Sequence, residues 1–156
     1  MKIKLIEIAG VQPAYMALHL PFGKKCSNDF DKDNILISKL IKAGPEHAKV
    51  TRGVIYWIEM KAPIYFWREL ETYRVGHERL SCESTMHIDC KGLSGEELQK
   101  AKANMPMGKE QIAIDLYSAQ CLRNMYMQRK HHRLPEWRQF CKFIEELPYA
   151  NIFILC

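Results

Sequence analysis

Residues 44–87 read GPEHAKVTRGVIYWIEMKAPIYFWRELETYRVGHERLSCESTMH, and the way this stretch divides decides the fold. Val50 to Met60 is rich in β-branched and aromatic residues (Val, Thr, Val, Ile, Tyr, Trp, Ile), which predicts a buried strand. Pro63 then opens a helix through Tyr73 or Arg74, with Phe66, Leu70 and Tyr73 along one face. Residues 75–92 are polar and predict a loop. A buried polar group without a partner costs about 1–3 kcal/mol. A segment so rich in Arg, His, Glu, Ser and Tyr beside core elements is therefore a surface or a built site.

The flanks supply the other elements. Residues 2–11 predict a first strand ending at Gly10, and Gln12 to Leu20 a short helix closed by Pro21 and Gly23. The polar loop 24–34 leads to a helix capped by Asp33 or Asn34, carrying Leu36, Ile37, Leu40 and Ile41 at i, i+3, i+4 spacing and ended by Gly44 and Pro45. Ser94 and Glu97 form a capping box. Gly108 to Arg129 predicts the longest helix, with Ile112, Leu116 and Ala119 on one face. Pro135 begins a last amphipathic helix through Trp137, Phe140, Cys141, Ile144 and Leu147. Pro148 stops it, and 151–156 predicts a terminal strand. This irregular alternation predicts one mixed α/β or α+β domain over 1–156, with helices flanking the sheet.

Composition narrows the function classes. At 156 residues, 47% hydrophobic and 26% charged, the chain can bury a core as an ordinary globular protein does. A net charge of +5 suits an anionic small molecule and does not by itself argue for nucleic acid. The six cysteines include no CxxC pair, no leader opens the chain, and no run nears the ~20 apolar residues of a membrane span. The expectation is a cytoplasmic protein with free thiols and no membrane partner.

Several constellations carry chemistry. His47 beside Glu46, after a helix end, is placed to meet a phosphate or to be a turn histidine satisfied by its neighbours. Arg68 and Glu71 are helical neighbours that pair for ~0.2–0.5 kcal/mol. Arg74 sits where a helix end favours a cation. The run His77, Glu78, Arg79, Ser81, Glu83, Ser84 and His87 offers hydroxyls and a guanidinium to a phosphate or a pyrimidine edge, or else is a solvated loop. Arg123, Arg129, Lys130, His131, His132 and Arg133 form a basic helix end that doubles as an anion site. Cys82, His87 and Cys90 match no standard zinc spacing, so no metal is expected. Dinucleotide, P-loop, nucleophile-elbow and zincin motifs are absent from the sequence.

In order and spacing these segments resemble the flavin-dependent thymidylate synthases (ThyX). Gly44-Pro45-Glu46-His47 resembles the family's turn and Val50–Met60 its next strand. FWRELETYR (66–74) resembles the helix entering the Arg-His-Arg motif, with Thr72-Tyr73-Arg74 in its place. SCESTMH (81–87) resembles the hydroxyl loop, with Glu83 and Ser84 on its Glu and Ser. CLRNMYMQR (121–129) resembles the helix whose arginines face nucleotide and flavin, and PEWRQF (135–140) the helix after it. The chain departs where Arg74 alone keeps the triplet's charge, where Met86 replaces an arginine, and where His87 replaces a tyrosine.

The resemblance implies a mixed sheet flanked by helices, with a long helix at the interface of a homotetramer. It implies that Arg74, Glu83, Ser84, Arg123 and Arg129 contact a nucleotide such as dUMP. His47, Tyr73, Arg79 and Asn124 would contact FAD, with NADPH and methylenetetrahydrofolate as co-substrates and no protein nucleophile. Two readings stand: a divergent enzyme methylating dUMP to dTMP, or a non-catalytic nucleotide-binding or sequestering protein of viral or mobile-element origin. The retained Glu83, Ser84 and Arg123 favour the first, and the lost arginines the second.

Overall fold

The computed structural model describes residues 1–24 and 29–156. The predicted loop 24–34, and Cys26 with it, lies partly outside the described residues. The chain runs β1 (Lys2–Ala9), α1 (Val11–His19), α2 (Phe30–Ala43), β2 (Ile55–Pro63), α3 (Ile64–Leu70) and β3 (His77–Cys82). It continues with α4 (Gly95–Ala103), β4 (Glu110–Ser118), α5 (Ala119–Arg129), α6 (Pro135–Glu145) and α7 (Ala150–Phe153). The four strands form one antiparallel sheet in the order β1-β2-β4-β3. The mixed α/β class expected from the sequence is what the chain adopts.

The sheet buries one face. Tyr56, Ile58, Met60 and Ala62 of β2, with Ala113 and Tyr117 of β4, alternate into a core that takes in Phe66, Leu70, Leu122, Trp137, Phe140 and Phe153 from the helices. Phe66, Trp137 and Phe140 meet at ring-centroid distances of 4.8–6.3 Å, in the tilted and edge-on arrangements aromatic quadrupoles prefer.

Several elements differ from expectation. The helix over 108–129 is instead strand β4 followed by α5. Glu110–Ser118 alternates buried and half-buried residues with period two, and Ser118 punctuates the change: its hydroxyl accepts from the Cys121 amide at 3.1 Å, capping α5. The loop over 75–92 contains β3, which pairs with β4 from His77–Tyr117 to Cys82–Ala113. A 3-10 turn at Lys49–Arg52 takes the start of the expected strand, so β2 begins at Ile55. Helix α3 ends at Leu70, short of Tyr73, because the chain must turn to enter β3. The cap of α2 is Asp29, which accepts from the Lys32 amide, while Asp33 is buried against His19 at 2.9 Å. Ser94 makes no side-chain cap, and the terminal strand is instead α7.

Candidate functional site

A short loop separates α3 from β3, and Gly76 sits in it at φ 78°. A Cβ there would lie 2.3 Å from the Ser118 hydroxyl, so only glycine fits. The turn delivers His77 and Arg79 to the inner face of the sheet, opposite Tyr117 and Asp115. Asp115, whose side chain is 1% exposed, accepts from His77 Nε2 at 2.9 Å, Arg79 Nε at 3.0 Å and the Tyr117 hydroxyl at 2.9 Å. His77 stacks flat on Tyr117 at 4.8 Å, and its Nδ1 lies 3.2 Å from the Tyr73 carbonyl. The Arg79 guanidinium also pairs with Glu71 and lies 4.5 Å over the Trp67 ring. Burial alone would raise the Asp115 carboxyl, but hydrogen bonds from His77 and Arg79 and the Arg79 charge hold it below its ordinary value. Burial, then the charge of Asp115, pushes the Tyr117 hydroxyl well up.

Tyr73 and Arg129 meet in a second cluster. Arg129 Nε donates to the Tyr73 hydroxyl at 2.8 Å, and its guanidinium lies 3.6 Å from Glu69 and 4.8 Å over Trp137. Glu69 also accepts from Trp137 Nε1 at 2.8 Å. Arg123 stands apart: its Nη1 donates to the carbonyls of Ile154 and Cys156 at 2.8 and 2.6 Å, tying α5 to the segment after α7. Asn124 and Arg74 are exposed, and Arg74 has no side-chain partner among the described residues.

Glu83 and Ser84 follow β3 at the far end of the β3–β4 pair. Glu83 extends the pairing, its carboxylate accepting from the Ile112 amide at 2.8 Å and its carbonyl from Gln111 Nε2 at 2.8 Å. Ser84 and Thr85 line a notch of about 160 Å³ with Lys61, Lys109 and Gln111. Lys61 pairs with Glu110 at 3.2 Å, Lys109 with Asp89, and Lys102 donates to the Thr85 hydroxyl. His47 is exposed, 3.6 Å from Glu46, on the rim of a separate cleft of about 590 Å³. The cleft walls are Ala14, Ala17, Leu18, Leu36, Leu40 and Val50, with Lys49 lining it beside His47.

The chain thus joins Tyr73 with Arg129, and Glu83 with Ser84. Arg123, Arg74 and His47 lie in separate surroundings, and neither the notch nor the cleft includes Arg123. Sequence reasoning missed Asp115, Tyr117, Lys61 and Lys109. Asp115 was findable, since strict alternation through Ala113, Asp115 and Tyr117 turns it inward. Among the described residues no group of three or more His, Cys, Asp or Glu could hold a metal ion.

No protein-family model matches the sequence, and no curated protein matches it. Solved structures do. The chain is similar to the flavin-dependent thymidylate synthase ThyX of Helicobacter pylori complexed with FAD and dUMP, at TM-score 0.80 and 16% identity over 98% of both chains. A second structure of that enzyme with FAD and dUMP gives TM-score 0.80 and 15% identity over 99% of this chain and 97% of the other. The UMP/dUMP methylase PolB of Streptomyces cacaoi, bound with 5-Br dUMP, matches at TM-score 0.72 and 13% identity over 93% and 88% of the two chains. The likeness spans nearly the whole chain: it has the fold of the flavin-dependent thymidylate synthases.

Proposed function

We propose that the chain binds a pyrimidine nucleotide of the dUMP type together with FAD, and methylates that nucleotide. One observation carries the reading: the fold matches over nearly its whole length proteins solved with FAD and dUMP, or with 5-Br dUMP. The residues present fit a flavin. A flat ring system with one polar edge suits the apolar cleft of about 590 Å³, with His47 and Lys49 at that edge. When bound, FAD supplies two-electron redox chemistry that no side chain provides.

The chain's own groups bind and orient. Ser84 and Thr85 hydroxyls offer hydrogen bonds to a pyrimidine edge or phosphate, and the exposed Arg74 is a guanidinium available for anion pairing. A notch of about 160 Å³ is smaller than a nucleotide site of ~300 Å³ or more. Groups scattered over one protomer would have to be completed by a second, and a homo-oligomer up to a tetramer is part of this proposal. A second reading, nucleotide sequestration without turnover, is favoured by the guanidinium groups of Arg79, Arg123 and Arg129, all engaged with the chain's own acceptors.

Purified protein decides between them. A yellow preparation whose melting temperature rises with dUMP supports the methylase, and Arg74→Ala should remove most of that rise. A colourless protein still stabilised by dUMP supports sequestration. No stabilisation by dUMP or UMP, with or without added FAD, overturns both.

A further inference from the structure

His77 sits between two groups that can only accept. Its Nε2 lies 2.9 Å from Asp115 Oδ2, and its Nδ1 lies 3.2 Å from the Tyr73 carbonyl oxygen. Asp115 has no proton to give. Arg79 donates to both of its oxygens, at 3.0 and 3.3 Å, and the Tyr117 hydroxyl donates to Oδ2 at 2.9 Å. Against the cost of burial, the hydrogen bonds from His77 and Arg79 and the Arg79 charge hold the carboxyl below its ordinary value. Burial keeps the Tyr117 proton in place. A neutral imidazole carries one N–H and can serve one of the two acceptors. Serving both takes the imidazolium.

The second acceptor matters because of where it lies. The Tyr73 carbonyl opens the turn 73–77 between α3 and β3, and the imidazole closes that turn from its other end. The Ser118 amide donates to the Gly76 carbonyl at 2.7 Å, and Arg129 Nε donates to the Tyr73 hydroxyl at 2.8 Å. Arg74 and Val75 project between these anchors, both exposed. The His77 side chain itself is 6% exposed. The groups that face it are Arg79 of β3, Asp115 and Tyr117 of β4, and Cys121 of α5, with Glu71 behind Arg79. From α6, uncharged Phe140 packs on Tyr117. Burial pushes the Cys121 thiol up to about 12, and histidine is the one of these side-chain types that exchanges a proton near neutral pH.

We propose that His77 is a positioning residue: as the imidazolium it ties the Tyr73 carbonyl to buried Asp115, and so holds the turn that presents Arg74 to an anionic ligand. When the Nδ1 proton leaves for solvent, Nε2–H stays with the carboxylate, and Nδ1 and the carbonyl oxygen face each other as two lone pairs. The turn loses its tie at Tyr73, and Arg74 loses its fixed base. Linkage makes the effect reciprocal: an anion at Arg74 favours the held turn, and the held turn favours the proton. Anion affinity therefore falls as pH rises and the ring becomes neutral. The positioning role rests on Arg74 as a nucleotide contact, whereas the charge of the ring does not.

Two measurements on the full chain test this. A multiple-bond nitrogen–proton correlation spectrum of the ligand-free protein near neutral pH reads the ring directly. Both His77 nitrogens should be protonated, and on raising the pH the Arg74 and Val75 amides should shift in step with the ring. Titration of dUMP into FAD-supplemented protein from about pH 7 to about pH 9, where its phosphate is mostly doubly ionised, reads the coupling. The dissociation constant should rise about fivefold or more in the wild type. It should rise much less in His77→Gln, which keeps a donor toward Asp115 and cannot gain a charge. Should that variant fail to fold, the wild-type spectrum still decides. A neutral His77 ring near neutral pH, or Arg74 and Val75 amides that ignore its titration, overturns the proposal whatever dUMP does. A wild type whose affinity holds level, or a His77→Gln protein whose affinity falls as steeply, overturns the positioning role. Absence of dUMP binding at every pH refutes the nucleotide reading and this role together, and the spectrum tells the two failures apart.

Discussion

Asp115 concentrates the polar energetics of the inner sheet face. It is buried, ionised, and held by His77, Arg79 and Tyr117 at once. Removing one partner from a buried ion pair costs about 3–5 kcal/mol, and Arg79 is partly exposed, so Asp115→Asn is expected near 3 kcal/mol in urea unfolding. The direction with pH follows. Its folded-state value lies below the ordinary 3.8, so its contribution is complete above that value and is lost as pH falls through the lower folded one. Urea midpoints measured from pH 7 to pH 2.5 should show an acid loss that Asp115→Asn lacks (pH chosen to bracket carboxylate titration). Arg123 carries a different expectation: Arg123→Ala unties the segment after α7 and should cost about 1–3 kcal/mol without any nucleotide present. A loss seen only with ligand bound would return Arg123 to the binding site that the resemblance gave it. Neither partner set was readable from the chain, because Asp115–His77 and Arg123–Ile154 join residues far apart in sequence.

At the scale of elements, the sequence was informative where apolar period and punctuation agreed. Helix α6 starts at Pro135 and buries Trp137, Phe140, Cys141 and Ile144 as its spacing implied. Helix α1 also stands close to its expected position. Of the helix expected over 108–129, residues 110–118 form a strand instead, because Ile112, Leu116 and Ala119 satisfy a helical spacing while Ile112, Ile114 and Leu116 satisfy a strand spacing. Tertiary pairing with β2 and β3 settles it as a strand, and Ser118 marks the change. Strand β3 escaped notice because it is an edge strand with few buried residues, so it lacks an apolar alternation. The joint between β1 and α1 yields a sharp prediction. Gly10 has φ 85°, and an added Cβ would fall 1.8 Å from the Gly53 carbonyl oxygen. A left-handed residue with a side chain costs about 1–2 kcal/mol before any clash. Gly10→Ala should therefore lower stability by more than that, by thermal unfolding, and disturb the cleft that Gly53 helps to line.

For the whole molecule, the fold was readable from the order of segments, while assembly of the site was not. Tyr73–Arg129 and Glu83–Ser84 form pairs, yet the remaining candidate residues stay apart in the chain. The thiols report on packing at this scale. Cys82 is exposed, whereas burial pushes Cys121 up to about 12 and Cys141 to about 11. Alkylation of the native protein near neutral pH should label Cys82 readily and reach Cys121 and Cys141 only on unfolding. Early labelling of Cys121 or Cys141 would contradict the packing of α5 and α6. The central claim, that this fold holds a dUMP-type nucleotide beside a flavin, is met most directly by calorimetric titration of dUMP into FAD-supplemented protein. The account predicts saturable binding that weakens in both Arg74→Ala and Ser84→Ala; a folded protein that takes up no dUMP at millimolar concentration would contradict it.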